Sequence, residues 1–257
     1  MNLLTYSYPV TLLILCPLVF LAGIVDSIAG GGGIISLPAS IFVGLPIHIS
    51  YGTNKFVNGC GTLCASVNYL KNGCVNIKAA VSGAGGALLG SAAGAHLALI
   101  LSPKALHICL LIILPIVALV MICSKKKEYS AVRPELPKNV VLLGTFGAGL
   151  VVGCYDGFFG PGTGMFLTLI LSSLLRFEIV KASGTTKLIN LASNVGSTVM
   201  YFSAGKILFL AAVPCLICSV AGNFLGSRLA IKNGAKIIRP IIAVVSVLLI
   251  VHVIAKI

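Results

Sequence analysis

The chain has 257 residues, a mean hydropathy of +1.11 and charged side chains at only 9% of positions. A soluble domain carries roughly a quarter charged residues, so these values exclude one and leave lipid as the solvent. The net charge of +13 would suit nucleic acid in a soluble protein. Here the cations lie in short loops between apolar runs, where they report orientation in a bilayer, and no nucleic-acid partner is expected.

The apolar runs are continuous rather than alternating, which predicts helices and not a β-barrel. In chain order they cover 9–28, 31–44, 53–70, 76–101 and 104–123, then 139–156, 160–175, 184–202, 206–231 and 236–255. The start, Met1 to Val10, has no basic region and no cleavage site follows the first run, so no signal peptide is expected. The second and seventh runs fall short of the roughly 20 residues a full span needs. Each adjoins a glycine cluster, which predicts a broken or short helix. The polar stretch 125–138 reads as a linker between a first transmembrane repeat, 1–124, and a second, 139–257.

The two halves carry the same landmarks. Gly52-Thr53-Asn54-Lys55 falls on Gly184-Thr185-Thr186-Lys187 at a fixed offset (187 − 55 = 132). Asn58, Tyr69, Gly73, Gly90 and Gly94 fall on Asn190, Tyr201, Gly205, Gly222 and Gly226 at the same offset. Upstream the register slips by two, and Asp26 falls on Asp156. The expectation is an all-α polytopic membrane protein of two inverted-topology repeats, about five helical segments each, giving eight to ten membrane segments. With ten spans, Lys71, Lys78, Lys125, Arg133, Arg176 and Lys232 share one face with most other cations, against Lys104, Lys206 and Lys256 opposite. That bias predicts a cytoplasmic linker and both termini outside the cell.

Asp26 and Asp156, the only aspartates, each end an apolar run just before a glycine cluster. A charge at membrane depth costs several kcal/mol unless paired or wetted. Each aspartate is a candidate to cap the next short helix or to carry a coupling proton. Gly31, Gly32 and Gly33, and Gly162, Thr163 and Gly164, lie where such a helix would start. Their backbone N–H groups are candidates to approach an anion, and close helix packing is the alternative.

Two polar stripes follow. Asn54, Lys55, Asn58, Thr62, Ser66 and Tyr69 recur at helical spacing, as do Thr186, Lys187, Asn190, Asn194, Ser197 and Tyr201. Lipid cannot face such a stripe, so it faces protein or a watery cavity. The lysines line the permeation route or, near their helix starts, snorkel to an interface. Thr53, Thr185 and the asparagines are candidate neutral donors beside them. The sum attracts a small anionic substrate, best an oxyanion with several acceptors.

No His, Cys and carboxylate cluster has metal-ligand spacing, and the glycine runs lack a phosphate-loop lysine, so no metal and no cofactor are expected. The nine cysteines, Cys215 and Cys218 among them, read as small buried hydrophobes.

At these motifs the chain resembles the TauE/SafE family of sulfite-exporter-like transporters. The resemblance rests on Asp26-Ser27-Ile28-Ala29-Gly30-Gly31-Gly32-Gly33 with Leu37-Pro38, then Gly52-Thr53-Asn54-Lys55 and Tyr69-Leu70-Lys71-Asn72-Gly73. In the second half it rests on Gly160-Pro161-Gly162-Thr163-Gly164 and Gly184-Thr185-Thr186-Lys187. It covers nearly the whole chain. It implies a plasma-membrane secondary transporter of small anions, often sulfur-containing, such as sulfite or sulfoacetate, and no enzyme. Thr186 in place of Asn54, and Pro161 within the second glycine run, make the half-sites unequal. Two rivals stand beside this reading. A passive anion channel would use the same cations, and a membrane-embedded aspartyl hydrolase would use the two aspartates. The second lacks the G-x-G-D element, since Ile24-Val25 precedes Asp26.

Overall fold

The computed structural model describes residues 6–106, 108–109, 136–234, 236–238 and 240–241. Among the described residues there is no strand. Eight helices whose bounds lie wholly within the described residues follow in order: α1 Tyr8–Ala29, α2 Gly33–Phe42, α3 Ile47–Lys71, α4 Ile77–Ile100, α5 Lys138–Phe158, α6 Thr163–Ser173, α7 Ile179–Ser203 and α8 Phe209–Asn233. Most of the expected segments 104–123 and 236–255, and most of the linker 125–138, lie outside the described residues.

Local chemistry sets the helix ends. Asn76 accepts from the Ala79 amide at 3.2 Å to open α4, and the Glu178 carboxylate accepts from the amides of Val180 and Lys181 to open α7. At the end of α1, Gly30 turns left-handed (φ 77°) and its N–H closes on the Asp26 carbonyl at 2.7 Å.

The two-residue register slip has a structural origin. α2 and α6 start 130 residues apart, at Gly33 and Thr163, but α6 has 11 residues where α2 has 10. The connection to the next helix adds the second residue, so α3 and α7 start 132 apart, at Ile47 and Ile179. Both start earlier than the apolar runs 53–70 and 184–202 predict, because polar first turns hid them.

α1, α4, α5 and α8 are each long and apolar enough to cross a membrane by length and composition. α3 and α7 have 25 residues each, and their polar stripes dilute their hydropathy. These two lie side by side. α3 packs on α8 and α8 on α1, while α7 packs on α4 and α4 on α5. The first helix of each half therefore docks on the last described helix of the other.

Glycine makes that docking close. A Cβ on Gly86, Gly90 or Gly94 of α4 would come within 2.2 Å of the Phe146, Leu150 or Cys154 carbonyl oxygen of α5. Gly149 and Gly157 of α5 answer against Gly83 and Ser91. The α1–α8 contact repeats the device, with Gly222 against Phe20 and Gly226 against Ile24. Small residues at four-residue spacing let two backbones touch, which is how helices associate where no hydrophobic gain separates protein from lipid. Large apolar side chains point outward instead: Leu13 is 75% exposed and Leu143 74%. Such a surface suits lipid and not water.

Candidate functional site

α3 and α7 carry their lysines well inside. Lys55 and Lys187 each stand eight residues past the helix start, about 12 Å along the axis at 1.5 Å per residue. Both are buried, and neither snorkels. Each reaches into the opposite half. Lys55 Nζ lies 2.8 Å from Asp156 Oδ1, and Lys187 Nζ lies 3.0 Å from Asp26 Oδ2. Lys187 also donates to the Asp26 backbone carbonyl. Lys55 lies within electrostatic reach of Asp26 as well, so the two pairs form one charge cluster. Unpaired, any of these charges would be costly at this burial, and paired they are tolerable.

Each half also ties its own stripe helix to its first helix through a tyrosine, while its motif threonine crosses to the other half. Tyr69 of α3 donates to the Ser27 carbonyl at 3.0 Å, and Tyr201 of α7 to the Gly157 carbonyl at 3.5 Å. Thr53 accepts from the Leu208 amide and Thr185 from the Asn76 amide, both at 3.0 Å. A Cβ on Gly52 would sit 2.2 Å from the Lys206 carbonyl oxygen, and one on Gly184 2.1 Å from that of Cys74. The Gly-Thr of each G-T-x-K motif is thus a dock for a loop, 204–208 for the first and 72–76 for the second. Thr53 and Thr185 spend their hydroxyl oxygens there, on backbone.

The remaining candidates divide. At the start of α2, Gly32 N–H reaches Asp26 Oδ1 at 3.4 Å. Gly33 faces Pro161, and Gly164 meets Gly30 backbone to backbone, so the two glycine turns abut. Thr163 places its hydroxyl 2.7 Å from Asp156 Oδ1 and 2.8 Å from the Gly160 carbonyl. Asn58 donates to Asn54 at 3.1 Å, and Thr186 accepts from Thr168 at 3.3 Å. Asn190 is buried on α7, near the lysine on the same helix. Gly31 and Gly162 flank these turns.

The motif reading missed Ser193. Its hydroxyl donates to Asp156 Oδ2 from three residues past Asn190. Helical spacing from Thr186, seven residues back, puts Ser193 on the same stripe, and that was the available signal. Among the described residues no group of His, Cys, Asp and Glu could hold a metal ion. Cys215, with Cys16 and Cys218 against it, packs in an apolar cluster with Leu15 and Val19.

Membrane-length helices enclosing an ion-paired polar centre define a polytopic helical membrane transporter. The chain belongs to the sulfite exporter TauE/SafE family, whose model matches residues 15–253. It is similar to the probable membrane transporter protein ORF9 of Sinorhizobium sp, with 35% identity over 242 residues, 92% of this chain and 89% of the relative. It is 32% identical to the probable membrane transporter protein YfcA of Escherichia coli K12 over 246 residues, 95% of this chain and 90% of the relative. The probable membrane transporter protein YdhB of Bacillus subtilis is 25% identical over 217 residues, 81% and 86% of the two chains. No solved structure matches the chain.

Proposed function

We propose that this transporter moves a small anion, a sulfur-containing oxyanion or organosulfonate such as sulfite or sulfoacetate, across the bacterial plasma membrane. It does so by alternating access between two inverted repeats of about five segments each, with both termini outside the cell. The observation that carries this reading is the reciprocal burial of Lys55 on Asp156 and Lys187 on Asp26. The cluster sits part-way along α3 and α7, as a site near the bilayer midplane requires.

The lysines are occupied in this state, so an anion must compete with an aspartate for a lysine. That competition gives a coupling rule. A proton that neutralises the carboxylate leaves the ammonium free for the anion, and anion and proton enter together. Asn54, Asn58, Thr186 and Asn190 flank the lysines and supply neutral donors, with the Gly31–Gly33 and Gly162–Gly164 turns beside them. Engagement of each aspartate by a lysine also favours a carrier over an aspartyl hydrolase, whose two carboxyls would need to share one water or proton.

Purified protein in proteoliposomes tests the reading by counterflow of radiolabelled sulfite or sulfoacetate. Saturable uptake with trans-stimulation, lost in Lys187→Ala and Lys55→Ala, is the expected result. Unsaturable flux without trans-stimulation would identify a channel. Unchanged anion affinity in both variants would remove the lysines from the site.

A further inference from the structure

The two aspartates occupy matched positions, but their surroundings differ. Asp156 is clamped by three side chains: Lys55 and Thr163 on Oδ1, and Ser193 on Oδ2. Asp26 has Lys187 on Oδ2 and only the Gly32 amide, at 3.4 Å, on Oδ1. The difference is written in the repeat. Thr163 opens α6 where Gly33 opens α2, and Ser193 of α7 corresponds to Gly61 of α3 at the offset of 132. Both clamping hydroxyls of the second half are glycine in the first. The space that a side chain at 61 would fill is taken, because its Cβ would lie 2.3 Å from Ser219 Oγ and 2.4 Å from Asn223 Nδ2. Asp26 is also the more open of the two, with its side chain 9% exposed against 3% for Asp156.

A carboxylate that accepts several hydrogen bonds is held ionised, and each donor must be broken or turned before a proton can bind. We propose that Asp26 is the carboxylate that takes up the coupling proton, and that Asp156 stays ionised throughout as the fixed counter-charge of Lys55. This rests on the proton-coupled reading above and goes beyond it by assigning the proton to one half. The balance is simple: the proton neutralises Asp26, Lys187 becomes an unpaired cation and one anion takes its place, so a monovalent anion such as bisulfite or methanesulfonate crosses with no net charge moved and a dianion such as sulfoacetate with one negative charge. The titratable groups that face Asp26 are Lys187 of α7 and Lys55 and Tyr69 of α3. Those that face Asp156 are Lys55 of α3, Tyr155 of α5 and Tyr201 of α7.

Infrared difference spectroscopy on acidification tests the assignment without any substrate, and a chain with five acidic side chains keeps the carboxyl region readable. The expected result is a protonated-carboxyl band in the wild type that Asp26→Asn removes and Asp156→Asn retains. Gly33→Thr keeps every charge and offers Asp26 the hydroxyl that Asp156 has. A Cβ there meets nothing closer than 3.4 Å, so the variant has room to fold, and it should shrink the band at fixed pH. A band that survives Asp26→Asn, disappears in Asp156→Asn or is missing from the wild type overturns the proposal. In proteoliposomes with methanesulfonate, Asp26→Asn should lose accumulation driven by a pH gradient. If wild-type protein ignores methanesulfonate, sulfite and sulfoacetate while the infrared pattern holds, the anion reading fails and the proton assignment stands.

Discussion

Gly30 and Gly164 touch through their backbones: a Cβ on Gly30 would lie 2.3 Å from the Gly164 Cα, and one on Gly164 2.5 Å from the Gly30 Cα. The two half-helices α2 and α6 start at this crossing. Neither glycine can gain a methyl group without parting the turns, and Gly30 also needs its left-handed φ. Gly30→Ala and Gly164→Ala should each lower stability by about 1–3 kcal/mol, the range for overpacking. Gly147→Ala, which meets nothing within 4 Å, should be nearly neutral. Unfolding in mixed micelles with denaturant reads all three.

The ion pairs predict non-additivity. Lys187→Met alone leaves Asp26 buried without its cation, and removal of one partner from a buried pair typically costs about 3–5 kcal/mol. Asp26→Leu alone strands Lys187 in the same way. The double variant strands neither, so its loss should be well below the sum of the two. A double-mutant cycle on the same unfolding assay measures the coupling, and strict additivity would mean that the pair contributes nothing in the membrane-like environment.

The three buried tyrosines should rank by what their hydroxyls do. Tyr69 donates to Ser27 at 3.0 Å, so Tyr69→Phe should cost about 1 kcal/mol. Tyr201 reaches Gly157 only at 3.5 Å, and Tyr201→Phe should cost less. The Tyr51 hydroxyl is buried without a partner while its ring stacks on Tyr201, so Tyr51→Phe should be neutral or stabilising. Thermal-shift measurements on the three variants give the order, and a Tyr51→Phe loss larger than that of Tyr69→Phe would contradict it.

The glycine contact between α4 and α5 offers a comparison on adjacent residues. Gly86 faces the Phe146 carbonyl at 2.2 Å from a virtual Cβ, while Gly85 meets only the edge of the Phe146 ring at 3.9 Å. Gly86→Ala should destabilise by about 1–3 kcal/mol and Gly85→Ala by almost nothing. Equal effects would show that helix propensity, and not close approach, sets the glycine content of α4.

Much of this was legible in the chain. Continuous apolar runs predict helices, and the repeated Asp and Gly-Thr-x-Lys landmarks stand where the structure makes reciprocal contacts between the halves. The starts of α3 and α7 were misplaced because Ile47 to Gly52 and Ile179 to Gly184 mix polar and apolar residues, and a hydropathy window cannot see a first turn buried by neighbours. Which aspartate meets which lysine was not readable. Composition fixes the cost of burying those charges, whereas their pairing depends on how the halves interlock. The role of Gly52 and Gly184 was hidden for the same reason, since a missing side chain announces a close neighbour but not its identity.

The interlocked packing of α1 on α8 and of α5 on α4 has a consequence for biogenesis. The ribosome delivers α1 well before its mate, whose start lies 201 residues further on (209 − 8 = 201), so α1 must wait in the bilayer while the helices between them are made. During that interval its small-residue seam faces lipid or another protein, and α3 lacks the flank that α8 will provide. A chain cut short after Ser203 would therefore leave the first half as incomplete as the second.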